Sequence, residues 1–399
     1  MAPRCAGASD GATIVGMPAR SSTRADVAII GGGIIGCAAA AFLTERGASV
    51  TLHERTAIGA GASGRNLGAI QHPFDSVLAP LYHDSLDRYR TLAMQTDGFA
   101  MANPVGLLLI NADGSAVRRQ VAHFAATLPD LAPTFLDESA LADVEPGLSP
   151  GFSACRLATG FPVPPDAATA AYAGLALRRG ARLHIGAAAD PWIERGRASG
   201  IRLGDGSTVA AGAVLVAAGP WTPELIDPSG VWQPIRRTWG VTVRLRLSTP
   251  PRHVIEEDEV DSVNRPAAAT ARAAGSPEAD QPPSLFSIAS AAGISTLGST
   301  FLPAEPDARV VARLLLERGR RFLPAIADAQ VLETRVCARP QSDDGRPFIG
   351  AVEGVAGLFV CAGHGPWGIS TGPGSAALVA DAILGDAHIP GGLLASRRP

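Results

Sequence analysis

The stretch Asp26–Glu54, DVAIIGGGIIGCAAAAFLTERGASVTLHE, constrains the fold more than any other. Val27–Ile30 is a short apolar run of the kind a parallel strand carries when both its faces are covered. Gly31, Gly33 and Gly36 then give G-x-G-x-x-G. Gly31 permits a sharp turn, Gly33 lets a pyrophosphate approach the backbone, and Gly36 lets the helix pack on the strand. Cys37–Glu45 reads as an alanine-rich helix, closed by Arg46 and Gly47. Ala48–Leu52 returns as a strand, and Glu54 follows. The helix N-terminus offers free N–H groups and a positive dipole end to a pyrophosphate. A carboxylate about 20 residues on accepts hydrogen bonds from ribose hydroxyls. Glu54 would repel a 2′-phosphate, which argues against NADP. Val27–Thr44 is uncharged and reaches the length at which a membrane span must be weighed. Its glycines, its alanines and Glu45 directly after it argue against that reading.

The chain has 399 residues, enough for a large core and two domains. Net charge is −3, and no basic stripe points to nucleic acid. There is no lysine; arginine supplies all the fixed positive charge. With the high alanine content, this reads as codon bias in a GC-rich genome. The cysteines, Cys5, Cys37, Cys155, Cys337 and Cys361, are scattered and contain no CxxC. That fits a reducing compartment and gives no metal site. Residues 1–24 lack the apolar core of a signal peptide and read as a disordered leader or an early start.

Further along, Thr56–Gly68 is a glycine- and serine-rich loop suited to wrapping part of a long cofactor. Leu78–Met94 has helical spacing. Val105–Asn111 reads as a strand, Asp113-Gly114 as a turn, and Arg118–Leu128 and Asp137–Glu145 as helices. Ala167–Arg179 is a helix with Asp166 as its expected N-cap, and Ala181–Ile185 a strand. Ile201–Leu203 and Thr208–Ala211 flank a hairpin turn at Asp205-Gly206. Ala213–Ala217 is an apolar strand. Pro234–Leu247 alternates, as a half-buried antiparallel strand does. Glu256–Pro283 reads as a long loop, and Ser284–Thr300 as two strands around Ala292-Gly293. Val310–Phe322 is helical, Arg335–Arg339 a strand, and Pro340–Pro347 a turn. Leu358–Ala362 is a strand, Gly363–Gly368 a glycine loop, and Gly374–Leu384 the last helix.

Four blocks together resemble the D-amino-acid oxidase/glycine oxidase/sarcosine oxidase superfamily of FAD-dependent oxidoreductases, which includes the D-amino acid dehydrogenases. They are the first stretch, GASGRNLG, VLVAAGPWT, and RPQSDDGRPFIG followed by GLFVCAGHGPWGISTGPG. They span Asp26–Gly385, and the last pair is the most specific. The resemblance implies an α/β fold: a Rossmann-type, GR2-like FAD-binding domain with an inserted α+β substrate domain on a mixed or antiparallel sheet. The expected boundaries are 25–80, 160–222 and 335–390 for FAD, and 81–159 and 223–334 for substrate. It further implies that Gly31, Gly33, Ile34, Ile35, Gly36, Glu54 and Arg55 hold the ADP half. Ser63, Gly64, Arg65 and Asn66 lie along the pyrophosphate and flavin edge. Ala218 and Gly219 close over the adenosine. Gly363, His364, Gly365, Gly368 and Ile369 line the flavin's pyrimidine edge. Arg339 matches the arginine that binds a substrate carboxylate.

The implied reaction is oxidation of the C–N bond of a small amino acid, D- or secondary/cyclic, by hydride transfer from Cα to flavin N5. The imine that results hydrolyses to a 2-oxo acid. Departures from the pattern matter. Pro366 stands where glycine oxidases carry a second arginine, and Trp367 where sarcosine oxidases carry a lysine. A lysine-free chain cannot use lysine to activate oxygen, which favours a dehydrogenase. Electrons then pass to a quinone or a partner flavo- or iron–sulfur subunit rather than to O2. A subunit of an opine or hydroxyproline dehydrogenase-type complex is the alternative reading, and a glycine or sarcosine oxidase another. Oxidation of a modified tRNA base fits poorly with the acidic balance. Phe286 aligns with a substrate-contacting tyrosine of glycine oxidases, Phe301 falls on the neighbouring strand, and both suggest an apolar pocket. Cys337 sits near the covalent flavin site of sarcosine oxidases, but non-covalent FAD is expected. His364 is a candidate base, with loop structure the plainer reading. Location is expected to be cytoplasmic, with contact at the inner membrane face left open, as is oligomeric state.

Overall fold

A computed structural model describes residues 24–258, 284–386 and 389–395. Cys5, nearly all of the expected leader and most of the Glu256–Pro283 loop lie outside the described residues.

The strand Ala25–Ile30 pairs in parallel with both Val50–Glu54 and Thr208–Val216. Val27 and Ile29 enter one core, while Ala28 and Ile30 enter the core on the opposite face. Two covered faces explain why this strand is apolar throughout rather than alternating. The sheet runs Phe348–Ala351, Leu358–Ala362, Thr208–Val216, Ala25–Ile30, Val50–Glu54, Arg182–Ile185, with Ala189–Glu194 and Arg197–Leu203 attached beside Thr208–Val216. The two strands expected at Thr208–Ala211 and Ala213–Ala217 are one strand. Its first half pairs antiparallel with Arg197–Leu203 and its second half in parallel with Ala25–Ile30.

The helix Ile34–Glu45 is buried almost all round, because it packs on the sheet and against the helices Pro165–Arg178 and Gly368–Leu384. Alanine is the side chain that lets three helices lie this close. The last helix starts at Gly368, not at the expected Gly374, and runs through Pro373. Proline removes the N–H that Ile369 O would accept. The hydroxyl of Tyr89 donates to that carbonyl instead, at 2.8 Å. Ser85 Oγ also accepts from Gly374 N at 2.9 Å. Both residues belong to the helix Ala79–Gln95, whose buried face lies in the core of the first sheet. The expected substrate segment 81–159 therefore begins with a helix that packs on the nucleotide-binding side.

The second sheet is also eight-stranded: Gln330–Ser342, Ile235–Arg246, Ile294–Thr300, Ser284–Ala291, Val254–Glu257, Leu107–Asn111, Ser153–Leu157, Thr134–Leu136. All pairs are antiparallel except Val254–Glu257 with Leu107–Asn111. Residues 335–342, expected with the FAD-binding part, form the edge of this sheet, since Gln330–Ser342 is one long strand. The turn expected over Pro340–Pro347 shrinks to the residues after Ser342. The helix Ala308–Phe322 covers the sheet with Val311, Ala312, Leu315 and Phe322.

Two local expectations, a turn and a cap, are corrected. Asp113 is not a turn residue but the N-cap of the helix Gly114–Thr127, accepting from Ser115 N at 2.8 Å. Asp166 lies inside the first turn of Pro165–Arg178, where its charge faces the dipole, and makes no cap bond. No helix among the described residues is long and apolar enough to cross a membrane.

Candidate active site

A cavity of about 640 Å³ opens at the carboxyl ends of the parallel strands. This is where an open α/β sheet leaves a crevice for a ligand. Its floor is the glycine turn. A Cβ at Gly31, whose φ is +114°, would stand 2.4 Å from Ala217 O. A Cβ at Gly36 would stand 2.0 Å from Gly31 O. Gly36 therefore shapes the turn from behind and does not line the cavity, whereas Gly31, Gly33, Ile34 and Ile35 do. Glu54 faces in from the end of the second strand. Its carboxylate accepts from Gly32 N at 2.8 Å and from Thr56 N at 2.8 Å. Arg55 lies over the Trp221 ring at 4.0 Å, so these two side chains frame one end of the cavity with Ala218 and Gly219.

The GASGRN segment forms a short helix, Ala62–Arg65. Ser63 Oγ accepts from Ile34 N at 3.0 Å, at the N-terminus of the glycine-turn helix. Ser63, Arg65 and Asn66 line the cavity; Gly64 is packed behind, with its Cβ position 2.4 Å from Gly59 O. The segment is tied to the second sheet in both directions. Arg335 donates to Gly64 O at 2.9 Å and to Asn66 O at 3.2 Å. Arg65 donates to Val336 O at 2.8 Å. Burial pushes the Arg335 guanidinium down from its usual range.

At the other end stand His364, Gly365, Gly368 and Ile369. Gly363, with φ +93°, turns the chain into this loop and lies behind it, against Phe348. His364 is 1% exposed, and neither ring nitrogen has a partner. Burial lowers its pKa to about 3, so it stays neutral. A neutral imidazole always has one N–H to donate and one nitrogen to accept. Both unmet positions belong to a side chain that lines the cavity.

Arg339 marks the boundary between this cavity and a smaller one of about 80 Å³. Its guanidinium lies against Gly240, where a Cβ would be 2.5 Å from its nitrogens. It donates to Thr300 O at 2.7 Å and to Ser299 Oγ, and covers the Phe301 ring at 4.6 Å. Burial lowers its pKa, and no carboxylate among the described residues pairs with it.

The family profile described as DAO, FAD dependent oxidoreductase, matches residues 26–382. The chain belongs to this family. Glycine oxidase of Geobacillus kaustophilus is 27% identical over 379 residues, covering 90% of this chain and 93% of that one. Glycine oxidase of Pseudomonas aeruginosa is 28% identical over 375 residues, covering 90% and 94%. Among solved structures, glycine oxidase from Bacillus cereus matches with a TM-score of 0.76 at 25% identity, covering 92% of this chain and 96% of that chain.

This oxidoreductase thus has the family's Rossmann-type FAD-binding part and a substrate part on a mixed sheet. The cavity suits FAD on its own chemistry. The glycine turn leaves its backbone open to the cavity, Glu54 brings a carboxylate to the same wall, and His364 carries two unmet hydrogen-bonding positions.

One expected pocket residue is misplaced. Phe286 is 1% exposed and stacks on Phe322 at 4.4 Å, on the helix-covered face of the second sheet. Its neighbours Leu285 and Ser287 line the smaller cavity instead. Successive strand residues face opposite sides, so an alignment one residue out exchanges wall for core. Phe301 does line the smaller cavity. Arg335, Gln71 and Glu256 were missed by the sequence reading. Arg335 carries a usable signal, since Arg335, Cys337 and Arg339 share one face of a strand by alternation. Gln71 and Glu256 have none, because only the tertiary fold brings them together.

Proposed function

We propose that this flavoenzyme oxidises the C–N bond of a small amino acid, yielding an imine that water hydrolyses to a 2-oxo acid. The observation that carries the reading is Arg339, a cation between the two cavities without an acidic partner among the described residues. The kinship to glycine oxidases supports it. FAD, when bound, accepts the hydride released from the substrate's Cα.

The chain's own residues position and stabilise. Arg339 pairs with the substrate carboxylate through two parallel hydrogen bonds. Thr300 O and Ser299 Oγ hold the guanidinium in place beforehand, so little orientation is lost on binding. Phe301, Trp367 and Ile369 line the smaller cavity and keep water from the reacting carbon. The helix that begins at Gly368 sets Gly368 and Ile369 in the cavity wall, where its positive end would favour the negative charge of a reduced flavin. His364, neutral and buried, serves as a hydrogen-bonding wall and not as a base.

The cofactor is held without a covalent bond. Burial pushes the Cys337 thiol up, against the pull of Arg339, Arg65 and Arg335, so the nucleophilic thiolate is scarce. The lysine-free composition favours a quinone or a partner protein over O2 as acceptor. Anaerobic titration of the yellow protein with glycine, sarcosine, proline and other amino acids of both hands, followed by air, tests the reading. Bleaching by one of them with slow recovery in air is expected. Fast recovery would make the enzyme an oxidase, and no bleaching by any amino acid would overturn the assignment.

A further inference from the structure

The smaller cavity has a second layer behind its wall. Trp367 lines the cavity and is 8% exposed. Phe74 belongs to neither cavity's lining, yet it meets the Trp367 ring edge-on, with centroids 6.2 Å apart and planes at 90°. Phe74 also stacks on Phe124, at 5.1 Å and 21°. It therefore joins the cavity wall to the helix Gly114–Thr127. Aromatic pairs hold preferred relative orientations, so the place of the indole depends on the place of Phe74.

Phe74 is itself held in an unusual conformation. Its φ is +53°, where a bulky residue stays only when its surroundings keep it there. Phe74 N donates to His72 Nδ1 at 3.0 Å. A backbone N–H only donates, so Nδ1 is the bare ring nitrogen. Burial, with His83 nearby, lowers the His72 pKa to about 4, which keeps that lone pair free to accept at neutral pH. His72 is anchored in turn. Its N–H donates to Thr159 Oγ1 at 3.0 Å, which lies 2.9 Å from the Tyr82 hydroxyl, and its ring meets the Tyr82 ring edge-on at 5.1 Å. The flanking residues are tied as well. Gln71 N donates to Ser370 Oγ at 3.0 Å, and Asp75 Oδ1 accepts from Val77 N at 2.7 Å.

We infer that Phe74, set by His72, is the positioning residue that fixes Trp367 and thereby limits the size of the substrate's side chain. This rests on the proposed carboxylate site at Arg339. The smaller cavity, about 80 Å³, equals the liquid volume of about three water molecules. Beside a carboxylate on Arg339 it takes a short side chain and excludes a branched one. With Phe74 cut back, the indole gains room to retreat and the limit rises. Without the acceptor on His72, the backbone at Phe74 relaxes to negative φ and carries the ring off Trp367.

The test measures binding without turnover. Holoenzyme is titrated with acetate and with 3-methylbutanoate, carboxylates that carry no amine, and the flavin absorbance change is followed. Wild type is expected to bind acetate about tenfold tighter, the least that a misfitting methylene costs in a tight pocket. That preference should vanish in Phe74→Ala and in His72→Leu. It should return in His72→Asn, whose Oδ1 can accept from the N–H two residues on. If Phe74→Ala fails to retain FAD, Phe74→Leu gives the reading, with a smaller shift in the same direction. No preference for acetate in the wild type overturns the inference, as does a preference that survives in both the Phe74 and His72→Leu variants. Equal weakening of both carboxylates overturns it too, since a merely structural role would act that way, and so does a His72→Asn variant that matches His72→Leu. An amino acid that bleaches the flavin while the preference never moves defeats this inference alone. A preference that moves as expected, with no bleaching by any amino acid, defeats the proposed reaction alone.

Discussion

The two sheets present different kinds of wall. The first presents backbone: a turn in which Gly31 and Gly36 leave no room for a Cβ, and strand ends that open a crevice. The second presents side chains from separate strands, among them Arg339 and Ser287, each placed by register with its neighbours. A backbone site tolerates little change in residue type and is written in one contiguous stretch. A side-chain site is spread over several strands and changes with single substitutions. Cofactor binding and substrate choice should therefore fail separately when each is perturbed.

The largest effect is expected at the glycine turn. Gly36→Val places carbon within bonding range of Gly31 O and should destabilise the turn by on the order of 3 kcal/mol or more. The purified variant should be colourless, and any FAD retention at wild-type affinity would break the contrast. A pH effect comes next. Burial holds His364 at about 3, His53 at about 4 and His72 at about 4, with His184 and His83 adding to the last two. All three lie below the unfolded value of about 6.5, so the unfolded chain takes up protons first. The stability they contribute is whole above about 6.5 and is lost as pH falls through the folded values. Thermal melts should therefore drop on acidification below neutrality, and His364→Gln should drop less. Tyr89→Phe removes the donor to Ile369 O and should lower stability by about 1 kcal/mol, read in a denaturant midpoint. The smallest effect on function is at Phe286. Phe286→Leu should lower stability by about 1 kcal/mol while the substrate preference stays put. A changed preference would return Phe286 to the pocket.

The same contrast explains what could be read in advance. The glycine turn, its flanking strands and Glu54 were legible because their spacing is local. The final helix was read six residues short because Pro373 reads as a break, and the repairing hydroxyl of Tyr89 lies in a distant segment. Val254–Glu257 was missed because four residues ending in two glutamates carry no strand pattern; pairing on both sides makes it one. Arg339 was singled out because it lies in a motif, and it lines both cavities. Phe286 was assigned to the wrong face, since facing depends on pairing that a lone strand does not reveal.

The most direct test is a paired measurement on Arg339→Ala: FAD affinity by fluorescence, and half-saturation of flavin reduction by the best carboxylate-bearing amine. Losing two hydrogen bonds to a charged partner predicts a rise in half-saturation of roughly a hundredfold, with FAD affinity held within a fewfold of wild type. An unchanged half-saturation would contradict the assignment of Arg339 to the substrate carboxylate, and loss of FAD would contradict the separation of the two sites.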